Sequence, residues 1–138
     1  MADKKIVTCF IEHNDKVLIL RRSNKVGTYR GKWASVSGHI ERGEDEYSRA
    51  LIEIEEETKL KRTDVELLAK SKPITVSDKE NCFFWEAYPF LFKTNRNDIK
   101  IDWEHIEYKW ISPSEFEKFD TVPILYEVYK KIRKNIQC

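Results

Sequence analysis

The sequence predicts one mixed α/β (α+β) domain, and three observations carry that expectation. Its 138 residues suit a single domain over 1–138, with no repeat and no Gly/Ser/Pro-rich linker dividing it. Short runs rich in β-branched and aromatic residues, separated by turn signals, read as strands. Two stretches with helical periodicity interrupt them, giving the order strands, helix, strands, helix rather than a regular βαβ alternation.

Composition narrows the class further. Hydrophobic residues make up 41% and aromatics 12%, which excludes a disordered or fibrous chain. The 25 Lys+Arg against 24 Asp+Glu leave a net charge of +1, so bulk charge offers nucleic acid or a membrane no attraction. Cys9, Cys82 and Cys138 are odd in number and far apart, arguing against a disulfide framework and against a zinc site. The apolar run Ile6–Ile11 is too short for a signal-peptide core, and no later run approaches a membrane span. The expectation is a cytoplasmic protein.

Lys5–His13 and Lys16–Arg22 read as strands, joined by a tight Asn14-Asp15 turn. Ser23–Gly31 is a polar, basic loop, and Lys32–Ser37 a short strand leading to Gly38. Glu44–Thr58 is the clearest helix. Val65–Ala69 and the aromatic segment Cys82–Phe92 are strands, and Pro89 within the second predicts an edge or a bulge because it has no N–H to give a ladder. Ile106–Ile111 is a further strand. Ser112-Pro113-Ser114-Glu115 has a capping-box pattern opening a short helix. A last helix over Pro123–Asn135 sets Ile124, Val128, Ile132 and Ile136 in an i, i+4 stripe that predicts core packing.

On a helical wheel Glu46, Glu53, Glu56 and Glu57 share an arc with Arg49, while Tyr47, Ala50, Leu51 and Ile54 face the core. Like charges one turn apart cost a helix a few tenths of a kcal/mol per pair. A solvated acidic face is one reading. A site for a hard divalent cation is the other, since Mg²⁺ and Mn²⁺ take carboxylate oxygens and offset the repulsion. Gly38-His39-Ile40-Glu41-Arg42-Gly43 directly precedes the helix, where exposed backbone groups can face an ion or a phosphate.

Gly38, Glu44, Glu53, Ile54, Glu56, Glu57 and Leu60 resemble the Nudix box, G-x5-E-x7-R-E-U-x-E-E-x-G-U, over residues 38–60. Ile52 stands where the family has arginine, and Lys59 where it has glycine. The resemblance implies a Nudix fold: a mixed sheet sandwiched between helices, with a loop–helix–loop catalytic motif. It also implies a pyrophosphohydrolase that cleaves a nucleoside diphosphate linked to another moiety, using Mg²⁺ or Mn²⁺. Carried over by position, Gly38, Glu53, Glu56 and Glu57 would hold the metal, and Glu53 and Glu56 are the catalytic candidates. The base that takes the proton from the attacking water differs between family members. Glu53 is the first choice here; Glu104 and Glu107 are the late-loop candidates, with Glu86 behind them.

The family arginine orients the box glutamates, and Arg49, one turn before Glu53, is the candidate to take its place. The family glycine takes a left-handed helix C-cap, where Lys59 costs about 1 kcal/mol unless the turn is built differently. Substrate choice lies outside the box. Arg22 and Arg30, with Arg21, are candidates for phosphates; Trp33, Phe84 and Trp85 are candidates to stack on a base. The expected partner is a small nucleoside diphosphate derivative, with no nucleic acid or membrane, and the chain a monomer or homodimer. The alternative is a non-hydrolytic Nudix-fold module that binds a nucleotide or a partner.

Overall fold

The computed structural model describes residues 4–136. The strands are β1 (Lys4–His13), β2 (Lys16–Arg22), β3 (Trp33–Ala34), β4 (Val36–His39), β5 (Val65–Lys70), β6 (Ile74–Asp78), β7 (Phe83–Thr94) and β8 (His105–Ile111). The helices are α1 (Glu46–Thr58) and α2 (Leu125–Arg133), with 3₁₀ turns at Arg62–Asp64 and Pro113–Lys118. All eight strands join one mixed sheet with the path β3-β2-β1-β7-β5; β4 pairs β1, β6 pairs β7 and β8 pairs β2.

Strand β1 shows how the sequence builds two cores. Alternate side chains of a strand point to opposite faces. Val7, Cys9 and Ile11 therefore enter one buried cluster with Ala50 and Ile54 of α1, while Phe10 enters another with Leu125, Val128 and Ile132 of α2. One helix covers each face. Glu12 is nevertheless buried at the end of β1, where it accepts the Tyr129 hydroxyl proton and pairs with Arg133, tying α2 down. Asn14 and Asp15 both have positive φ, 49° and 65°, as a two-residue hairpin turn requires.

Four expectations need correction. Pro89 lies in a central strand, not at an edge: β7 pairs β1 in parallel on one side and β5 and β6 on the other. Its carbonyl accepts from Ser71 at the junction where β5 gives way to β6, so its missing N–H falls where no ladder partner is needed. The Lys32–Ser37 strand is broken at buried Ser35 into β3 and β4, which pair with different neighbours, β2 and β1. Strand β6 was not expected: its short edge segment carries Thr75, Ser77 and Asp78 and buries only Val76 fully. The last helix starts later than Pro123, because Ile124 adopts a left-handed conformation (φ 53°) at its N-cap and stays partly exposed.

Helix α1 starts at Glu46 rather than Glu44 because Asp45 caps it, accepting from the Ser48 N–H at 3.0 Å. At its other end Lys59 does take the left-handed conformation, φ 66°, with its N–H on the Glu55 carbonyl. That conformation strains a residue carrying a Cβ. Lys59→Gly is expected to stabilise the fold by about 1 kcal/mol, raising the thermal midpoint by a few degrees in a melting curve.

Candidate active site

Gly38 on β4 and Glu53 on α1 touch so closely that a side chain at 38 would displace the Glu53 carboxylate. A Cβ there would lie 2.1 Å from the Glu53 Cδ. The glycine thus keeps the Glu53 carboxylate in place through close approach, not through its backbone conformation. Glu53 is held from its other side by Arg49, whose Nη1 donates to Oε2 at 2.9 Å. The same guanidinium donates to both oxygens of Glu44, at 2.9 and 2.5 Å, and Glu44 in turn accepts from the Glu41 N–H. Arg49 therefore orients a box glutamate, the task that Ile52, 43% exposed, does not perform.

Glu57, one turn on, is buried, and its Oε2 has no hydrogen-bond partner. Its Oε1 lies 3.5 Å from the Ser37 N–H and 3.7 Å from Nε2 of buried His105. His105 Nδ1 faces Asp102 Oδ1 at 3.1 Å. Burial first, then a carboxyl–carboxyl hydrogen bond with Glu53 and the charges of Glu53, Glu104 and Asp102, push the Glu57 carboxyl well above the ordinary carboxylate value. Burial likewise raises Glu53, against the hydrogen bond with Glu57 and the pull of Arg49. Glu104 is raised by burial and by Asp102 and Glu53, opposed by Arg22. Burial lowers His105 despite Asp102. Three carboxyls that each resist ionisation mark a place where negative charge outweighs the two arginines, Arg49 and Arg22, that act on it.

These groups adjoin a cleft of about 780 Å³ lined by Glu53, Glu104, Gly38, Arg49 and Arg22, with an aromatic side formed by Phe83, Phe84, Trp85 and Trp103. Arg22 is anchored on the Thr28 carbonyl and hydroxyl at 2.9 and 3.1 Å. Phe84 and Trp85 line the cleft, as sought for stacking. Other candidates lie elsewhere. Trp33 is buried against Phe119 in the α2-side core, and Arg30 turns its guanidinium to the Val26 carbonyl. Glu107 pairs with Arg21 across β2 and β8, and Glu86 accepts from Tyr88. Glu56 is exposed beside Ile52 and Lys59, yet near enough to the site that its charge raises Glu53 and Glu104. Among the described residues, no three acidic, imidazole or thiol side chains already converge as a metal-binding group. Asp102, Trp103 and His105 were missed by sequence reasoning, which treated the segment before β8 as a source of bases alone; Asp-x-Glu-His around an exposed Trp was the available signal.

The NUDIX domain family matches residues 3–132, almost the whole described chain. The chain belongs to the Nudix family. Among curated relatives, a nucleoside triphosphatase NudI of Escherichia coli O81 (strain ED1a) is 27% identical over 131 residues, covering 87% of this chain and 89% of that protein. The solved binary complex of a C. elegans Ap4A hydrolase shares the fold with a TM-score of 0.76 at 20% identity, covering 93% of each chain. The NUDIX domain of Shewanella oneidensis NrtR, solved with ADP ribose, gives 0.77 at 16% identity over 97% of this chain and 88% of that one. This chain is a Nudix hydrolase, and its mixed sheet between α1 and α2 is the fold those structures share. No described helix of this Nudix domain is long and apolar enough to cross a membrane.

Proposed function

We propose that this Nudix hydrolase cleaves a phosphoric anhydride in a nucleoside diphosphate linked to another moiety, with Mg²⁺ or Mn²⁺ as cofactor. The observation that carries the reading is buried Glu57, whose Oε2 meets no N–H or O–H donor of a neighbouring residue and whose carboxyl lies against that of Glu53, with the charge of Glu104 near. A buried carboxylate oxygen left without a donor costs about 1–3 kcal/mol, and a divalent cation is a ligand that offsets it. Glu53 and Glu57 fit that cation, with the Gly38 backbone beside them and exposed Glu56 on the same arc of α1, its charge acting on Glu53 and Glu104. Bound there, it would neutralise the diphosphate and lower the pKa of a water. Arg22 reaches the anhydride phosphates, and Arg49 keeps Glu53 aimed.

Glu104 is the base in this reading. It lines the cleft, and its raised proton affinity suits it to accept the proton of the attacking water. Glu107, paired with Arg21 outside the cleft, is the weaker choice. The binding-module alternative rested on the missing box arginine; the Arg49 hydrogen bond to Glu53 supports the hydrolytic reading over it.

The test is turnover of a panel of nucleoside diphosphate derivatives with Mg²⁺ or Mn²⁺ by wild type, Glu53→Gln and Glu104→Gln. Glu53→Gln is expected to lose turnover together with metal affinity, while Glu104→Gln loses kcat and keeps metal affinity. Panel-wide inactivity of the wild type with either metal would refute the hydrolytic reading of this site.

A further inference from the structure

A single exposed aromatic is ordinary, but an exposed aromatic inside a cleft, beside other exposed apolar side chains, marks a surface for a ligand. Trp103 is 60% exposed, the most exposed large hydrophobic side chain among the described residues, and it lines the cleft. Its backbone is fixed on every side. The Trp103 carbonyl accepts from the Ser23 hydroxyl at 2.9 Å, and the Glu104 carbonyl accepts from the Ser23 N–H at 2.7 Å. Asp102 accepts from the Glu104 N–H at 3.2 Å and from His105. Phe84 and Ile124, 43% and 39% exposed, line the same cleft, so apolar surface is left open in a cleft that Arg22, Glu53 and Glu104 also line.

Resting on the nucleotide reading above, we infer that Trp103 is a substrate-positioning platform on which the nucleobase stacks, one residue from the Glu104 carboxylate. A flat π-face accepts any base, so Trp103 sets affinity for nucleotides as a class, and discrimination between bases falls to other groups. The rival use of an exposed Trp is contact with a second copy of the chain, together with Ile106, 55% exposed on β8. The cleft position favours the base, because Trp103 lines the cleft and Ile106 does not.

The test is equilibrium titration of wild type, Trp103→Ala and Trp103→Phe with ADP, GDP, CDP and UDP, and with inorganic pyrophosphate as the probe lacking a base. Sedimentation of all three proteins accompanies it. Trp103→Ala is expected to weaken all four nucleotides by roughly tenfold or more, the range of one stacked base. Pyrophosphate affinity stays unchanged, Trp103→Phe restores most of the loss, and sedimentation does not shift. Unchanged nucleotide affinity in Trp103→Ala would overturn the platform and leave the hydrolase reading standing. So would parallel loss of pyrophosphate, which reports damage to the Asp102–His105 loop, or a loss of oligomer with unchanged affinity. A wild type that binds pyrophosphate and metal but no nucleotide would overturn the platform together with the nucleotide reading.

Discussion

Arg49→Ala is expected to lower kcat/KM by about 10–100-fold, the usual effect of removing a group that orients a metal-binding carboxylate. Metal affinity should fall with it. The reason is geometric: one guanidinium spans Glu44 and Glu53 with three hydrogen bonds, and nothing else fixes Glu53 on that side against Gly38. Arg49→Lys should recover only part of the loss, because a single ammonium cannot bridge both carboxylates as a planar fork does. Ile52→Ala, at the family's arginine position but half-exposed here, should be silent in the same assay. Wild-type turnover and metal affinity in Arg49→Ala would show that Glu53 is held by its packing alone.

Glu57→Gln is expected to abolish turnover by at least about hundredfold, the scale of losing one electrostatic stabiliser, while making the metal-free protein more stable at neutral pH. The folded Glu57 carboxyl titrates well above 4.5 because burial disfavours its charge. A raised folded value means that its contribution to stability is whole below 4.5 and is lost as pH rises through the folded value. Above that value the metal-free wild type carries a buried charge, and glutamine does not. Thermal melts in EDTA from pH 5 to 8 should therefore fall more steeply for wild type, with the variant ahead by on the order of 1 kcal/mol at the top of the range. Added Mn²⁺ should reverse the order by stabilising wild type alone. Parallel melting curves in EDTA would mean that Glu57 is not a strained carboxylate.

Much of this molecule is legible in its sequence, and the reason differs by element. The hairpin β1–β2 and helix α1 announce themselves because turn chemistry, capping and period all agree locally, from Asn14-Asp15 to Asp45. The substitution of Arg49 for the missing arginine was visible as one turn of helical spacing. Pro89 misled because its cost depends on where β5 ends and β6 begins, which is a tertiary fact. Trp33 and Arg30 misled because a residue beside a glycine-rich loop need not face the cleft; Trp33 is turned to Phe119 by the register of β3 on β2. The buried chain Asp102–His105–Glu57 joins a loop to a helix more than forty residues away, so no local pattern marks it.

The parallel pairing of β1 with β7 has a consequence for how the chain reaches this state. Lys4 meets Trp85 and Glu12 meets Lys93, so the strand at the centre of both cores acquires its main neighbour only after most of the chain exists. Closing so long a loop before its contacts reward it makes folding slow relative to a helical bundle of the same length. During synthesis, Val7, Phe10 and Ile11 must wait without their partners Tyr88, Leu91 and Phe92. A nascent chain halted before residue 83 would present β1 as an unpaired apolar edge, the kind of surface that chaperones bind and that aggregates when they do not.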